Sequence, residues 1–424
     1  MYYYEKYDVF VLITALVLLI SLFLFTFRHR ISTLIDPLCF HLLWCASVLS
    51  LLAGYIYKYG LNASSILFIL TFTIYLSTLY IVTRIPTETA VRKTPLQHKV
   101  VTMYFVCLVL FMASRYEFII YALKANSPVE WFLYKFKQIE GRSPVQYILQ
   151  LGARPFFLYY TFVLITTRHN LKRFVYFMLV VNIVMDIIAG GRSSLIGVIM
   201  MFGYYVYLFP ELFPVRKLRQ INVWGLVGIF FALMILAIVT SFYSQEISIK
   251  DGYLAMLNRL LAAGDGLDLY LVNNAEQHIP SGLGEYIKSV FGIFIKRVVP
   301  IQTQSIGWQL YELDQGRIIP FSVGPNFILP LQVAVLGYTW LIPYCVFIAC
   351  VVGALRKNYL ARFVKLPPVL SFALGTMAFE PILDIELFFL YISGILVLYF
   401  FIVYPFLRLK IIWGIPRITF KLSR

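Results

Sequence analysis

The chain has 424 residues, of which 61% are hydrophobic and only 13% charged, with a mean hydropathy of +0.81. Those values exclude an ordinary soluble domain, in which about 25% of residues are charged, and its 37 Phe and 31 Tyr exclude a disordered chain. The formal charge of +16 raises nucleic acid as a partner, but the placement of the basic residues excludes it, as follows.

A helix needs about 20 mainly apolar residues to cross a bilayer, and eleven segments qualify. The first, Val9–Phe27, follows Glu5 and Asp8 and lacks a small-residue cleavage site, so it is expected to persist as a span rather than act as a removable signal. Leu34–Tyr57, Ala63–Val82 and Val100–Leu123 come next, then Gly152–Thr167, Phe174–Ala189 and Leu195–Phe209. The stretch Phe174–Phe209 reads alternatively as one re-entrant hairpin. Ile221–Ser241, Ile328–Leu355, Leu366–Phe379 and Leu387–Phe406 complete the set. Basic connectors follow every odd-numbered span, among them Arg28 and Arg30, Arg168 to Arg173, Arg216 to Arg219, and the tail from Arg408 to Arg424. They hold more than half of the 36 basic residues, so the positive-inside rule sets the N-terminus outside and the C-terminus in the cytoplasm. The charge is thereby a topology signal with an attraction to anionic lipids, and no nucleic acid is expected. Cys39, Cys45, Cys107, Cys345 and Cys350 all fall inside apolar runs and read as small buried hydrophobes. No internal repeat relates the two halves, which counts against common transporter architectures.

Two segments on the outer side carry polar chemistry, 127–151 and 242–320. In the first, Ser127, Pro128 and Glu130 form a helix start, and Trp131, Phe132, Tyr134 and Phe136 alternate with Lys135 and Lys137 as in an interfacial helix. In the second, Leu254, Leu257, Leu260 and Leu261 recur at helical spacing with Arg259 on the flank, followed by Asp265 and Asp268. Tyr286 to Ile295 forms a second amphipathic helix that ends in Lys296 and Arg297, cations suited to a helix C-terminus and to phosphate at headgroup depth. Contact with bulk phospholipid explains that pair as well as substrate binding does. Glu312, Asp314 and Arg317 follow, then Ser322-Val323-Gly324-Pro325-Asn326, where Asn326 either meets a sugar hydroxyl or caps the ninth span. Charges at span ends are costly and favour function. Arg115, Glu117 and Asp186 lie at outer ends, and Gly190-Gly191-Arg192-Ser193-Ser194 forms a tight turn that presents a guanidinium, a planar clamp for pyrophosphate with Asp186 as its expected partner.

The Gly-Gly-Arg-Ser-Ser hairpin, the Ser322–Asn326 opening with Gly337 beyond it, the dominant late outer loop, and Arg192 with Gly203 in an Arg-x10-Gly pattern together resemble the Wzy-type O-antigen polymerases, or oligosaccharide repeat-unit polymerases. The likeness is best over Phe174–Leu355. It implies a single all-α polytopic domain over residues 1–424, resembling the glycosyltransferase C-type membrane fold, in a bacterial inner membrane. It also implies a glycosyltransferase that moves a glycan from undecaprenyl pyrophosphate to an acceptor repeat unit on the periplasmic side. A chain-length regulator and a flippase are the protein partners this implies, and no metal or other cofactor is expected. The leaving pyrophosphate calls for cations, with Arg192, Arg259, Lys296, Arg297 and Arg317 available, and Ser193 and Asn326 as polar contacts. The attacking hydroxyl calls for a base, with Asp265 and Glu312 foremost among Asp268, Asp314 and His278. A flippase for the same lipid-linked glycan, an O-antigen ligase and a non-catalytic assembly subunit remain rival readings.

Overall fold

The computed structural model describes residues 3–83, 97–124, 144–167, 170–188, 194–243, 257–295, 305–318, 324–357 and 366–408. These residues form helices joined by turns, without a strand. Six helices are long and apolar enough to cross a membrane, or seven when one bent pair counts as a single span. That is the make-up of a multi-pass membrane protein of the all-α class.

A short helix α1 (Tyr3–Lys6) precedes α2 (Val9–Phe27), which starts where the Asp8 carboxylate accepts the amides of Phe10 and Val11 at 2.8 and 3.2 Å. Asp36 caps α3 (Pro37–Tyr59), with Pro37 in the first turn, where its missing N–H costs nothing. A reciprocal Asn62–Ser65 box opens α4 (Ala63–Val82). The expected fourth span is bent by 51° at Arg115, between α5 (Gln97–Ser114) and α6 (Tyr116–Lys124). Next come α7 (Pro144–Thr166), α8 (Lys172–Ile188), α9 (Ser194–Leu208) and α10 (Val215–Tyr243). Helix α7 is the axis of the bundle and packs on α5 and on the last long helix, with Phe156, Phe157 and Tyr159 fully buried. Arg115, Arg154 and Asp186, on three different elements, are thereby drawn to one place.

The 242–320 segment contributes α11 (Asp265–Val272), α12 (Leu283–Ile295) and α13 (Ile306–Gln315). Helix α12 matches the amphipathic pattern, but its apolar face meets protein: Val290 is fully buried and the Phe291 ring lies 4.8 Å from that of Phe389.

The expected ninth span, Ile328–Leu355, is two helices, α14 (Leu329–Leu336) and α15 (Leu341–Arg356). Gly337, at φ +107, ends α14 in a conformation that side chains resist, and the apolar span starts at Tyr338. All eight residues of α14 are buried. Gln332 holds it there, donating to the carbonyls of Phe327 (2.6 Å) and Pro381 (2.9 Å) and accepting from the Tyr344 hydroxyl at 2.7 Å. The tenth segment, expected at Leu366–Phe379, forms α16 (Pro368–Thr376), and a separate short helix α17 (Glu380–Leu383) follows it, with Pro381 in its first turn and without an N–H to continue α16. Asp384 then caps α18 (Ile385–Leu398), which runs through a π-turn at Tyr399–Val403 into α19 (Tyr404–Arg408).

At the basic end, Arg356 and Asp36 are both wholly buried and paired through two bonds, of 2.5 and 2.9 Å. The guanidinium also donates to the Arg30 carbonyl at 3.0 Å and lies 4.3 Å from the Tyr207 ring centroid. A buried ion pair holds best when its remaining valences are met; here the Arg30 carbonyl and the Tyr207 ring serve the guanidinium, while its Nε has no hydrogen-bond partner among the described residues.

Candidate functional site

Asp186, in the last turn of α8, is 3% exposed and takes two guanidiniums. Arg115 pairs with one oxygen from the α5–α6 bend, and Arg154, on α7, lies 3.2 Å from the other. The Phe111 ring, 5.5 Å from the Arg115 guanidinium carbon, steadies it from below. Two cations meet one buried anion, and both arginine side chains keep about a fifth of their surface accessible, at 23% and 22%.

That accessible surface lines a cavity of 360 Å³. Gln150 stands one turn before Arg154 on its rim, Gly197 lies against the Arg154 guanidinium, and Tyr204, Tyr391 and Phe379 close other sides. Glu380, the first residue of α17, lines the same cavity. A concave site with apolar walls, two guanidiniums, an amide, phenols and a carboxylate has the composition of a polar-ligand pocket. Chemically it can hold an anion of phosphate type and accept a proton.

The sequence-predicted residues are distributed differently. Asp265 opens α11 and accepts the Tyr3 hydroxyl at 2.5 Å. Burial pushes its carboxyl up to about 6, against the Tyr3 bond and the Arg259 charge, which pull it down. Asp268 accepts from Lys6 and the Tyr7 hydroxyl, and the Tyr3 amide donates to Asn258 at 2.6 Å. The 258–268 stretch is thus a clamp for the first residues of the chain. Burial and the neighbouring carboxylates push the Tyr3 and Tyr7 phenols well above their usual range.

Glu312 is half-buried on α13, and Asp314 accepts from Asn273 at 3.4 Å and Gln315 at 3.0 Å. Arg317 is exposed just past the Gly316 cap of α13, and His278 is exposed as well. Asn326 is exposed and does not cap α14: the cap position is Ile328, whose amide donates to the Asn326 carbonyl at 3.0 Å. None of these residues lines the Arg115–Arg154 cavity. Arg192, Ser193, Lys296 and Arg297 lie outside the described residues, as do the Ser127–Glu130 helix start and Ser322–Val323. Arg192 follows Asp186 by six positions in the chain.

The sequence marks Arg115 and Asp186 as span-end charges and points to Arg192, which lies outside the described residues, as the partner of Asp186; it does not single out Arg154 or Glu380. Arg154 was detectable, being an arginine inside an expected span, where a charge is costly unless used. Glu380 sits one residue past the expected end of the tenth span, and only the break in that segment turns it inward. Gly203, the glycine of the Arg-x10-Gly pattern, is inside α9 and packs against the backbone of Ile35. Compared with models of protein families, with curated proteins and with solved structures, the chain matches none.

Proposed function

We propose that the chain is a membrane glycosyltransferase that polymerises lipid-linked oligosaccharide repeat units, taking a glycan from undecaprenyl pyrophosphate to an acceptor repeat unit in O-antigen or surface-polysaccharide synthesis. In this reading eleven spans cross a bacterial inner membrane with the N-terminus out and the C-terminus in, and residues 242–320 form a periplasmic loop. The observation that carries it is the cavity walled by Arg115, Arg154 and Glu380. It joins the motif resemblance from the sequence, which supplies the substrate class.

The chemistry follows from the residues. The anomeric C–O bond to the pyrophosphate breaks and its electron pair leaves on the phosphate oxygen. A hydroxyl of the acceptor sugar forms the new C–O bond and releases its proton. The two guanidiniums offset the charge growing on the leaving group. Glu380 takes the hydroxyl proton, a role for which the sequence alone favours Asp265 or Glu312. Arg192 and Ser193 contribute from the connector between α8 and α9. Arg259, Lys296, Arg297, Arg317 and Asn326 serve the glycan and headgroups outside the cavity.

Purified protein supplied only with lipid-pyrophosphate repeat units is expected to give a ladder of longer glycans and free lipid pyrophosphate. A flippase gives no ladder, and a ligase requires a lipid A core acceptor, so either result overturns the proposal.

A further inference from the structure

A second concavity lies at the basic end of the bundle, between α7, α8, α9 and α10, with a volume of about 540 Å³. Its walls are apolar: Phe162 from α7, Leu179 from α8, and Val198 and Phe202 from α9. Its mouth carries Lys172 at the start of α8 and Lys217 and Gln220 in the first turns of α10. Trp224, 72% exposed, stands over one edge, and Tyr176 stands over the other with the Lys172 ammonium 5.6 Å from its ring centroid. Among the described residues neither lysine forms an ion pair with a carboxylate. From Lys172 to Leu179 the groove runs about 10 Å along α8 at 1.5 Å per residue.

The charge lies at one end and the hydrocarbon at the other. We propose that this groove is a binding site for one anionic phospholipid of the cytoplasmic leaflet, its phosphate held by Lys172, Lys217 and Gln220 and an acyl chain laid along Phe162, Leu179 and Phe202. Basic pockets between membrane helices on the cytoplasmic side select anionic headgroups, and aromatic rings at the mouth suit the headgroup depth. Left unfilled, the groove would forfeit dispersion contacts along its whole lining. The site is separate from the Arg115–Arg154 cavity and independent of the polymerase reading.

The test uses the full chain in detergent, titrated with phosphatidylglycerol or phosphatidylcholine and followed by native mass spectrometry and by thermal midpoint. One phosphatidylglycerol is expected to survive delipidation and to raise the midpoint, with phosphatidylcholine bound at least tenfold more weakly. Lys172→Gln with Lys217→Gln should weaken phosphatidylglycerol about thirtyfold, or about 2 kcal/mol, while unliganded protein keeps its midpoint. Arg28→Gln with Arg408→Gln, both exposed on the same basic side, should leave the affinity unchanged. Equal binding of the two lipids, equal loss in both double variants, or preferential retention of undecaprenyl phosphate over phosphatidylglycerol would overturn the assignment.

Discussion

Asp186 matters because removing it leaves two cations side by side without the buried carboxylate between them. Breaking one member of a buried ion network costs about 3–5 kcal/mol, so Asp186→Asn should lower thermal stability as well as activity. Arg154→Ala, by contrast, leaves the Arg115–Asp186 pair intact. It should cut chain growth about 10²–10³-fold, the usual size of losing one charge-stabilising donor, with a smaller fall in melting temperature. Arg154→Lys should recover little, since an ammonium cannot reproduce the two-pronged guanidinium contact. Asp265 supplies a pH signature of a different kind. Its carboxyl sits at about 6 in the folded protein and 3.8 in its ordinary state. The folded chain therefore holds a proton that the unfolded chain has released, and stability present at acid pH is lost as pH rises toward about 6. The melting-temperature difference between wild type and Asp265→Asn should shrink from pH 4 to 6 and level off above 7. A flat difference would remove Asp265 from the buried clamp.

The ends of several elements depend on contacts between helices, and there the sequence is least informative. Gly203 shows this: a Cβ built on it would stand 1.8 Å from the Ile35 carbonyl oxygen, a backbone atom that cannot swing aside. Gly203→Ala should force α9 off the 33–36 connector and cost about 1–3 kcal/mol as overpacking, read as a lower thermal midpoint. Helices α2 and α4 match the predicted spans residue for residue, because hydropathy and the caps Asp8 and Asn62 are local signals. The ninth and tenth segments do not match. Hydropathy is blind to the positive φ of Gly337 and to the turn that ends α16 at Thr376. The cavity was half legible for the same reason. Arg115 and Asp186 are conspicuous as charges at span ends, whereas their pairing with Arg154 depends on how α7 sits between α5 and α8. The Tyr3–Asp265 and Lys6–Asp268 contacts join positions more than 250 residues apart and have no local signature at all.

For the whole molecule, the distribution of charge makes a topology claim that follows from the positive-inside rule. A single cysteine at His278, which is exposed, should react with a membrane-impermeant maleimide in intact cells, and one at Arg28 only after permeabilisation. The opposite pattern would invert the chain and place the arginine cavity nearer the wrong face. Among the described residues, the Asp36–Arg356 lock and the Asp186 cluster are two buried ion clusters that join helices of the bundle. In the proposed function, Arg115 and Arg154 of the Asp186 cluster hold the pyrophosphate of a lipid-linked glycan. The most direct measurement is the dissociation constant of undecaprenyl pyrophosphate for wild type, Arg154→Ala and Arg317→Ala in the same detergent. At least a tenfold weakening is expected in Arg154→Ala and wild-type affinity in Arg317→Ala; an Arg154→Ala protein that binds as tightly as wild type would remove the cavity from pyrophosphate binding.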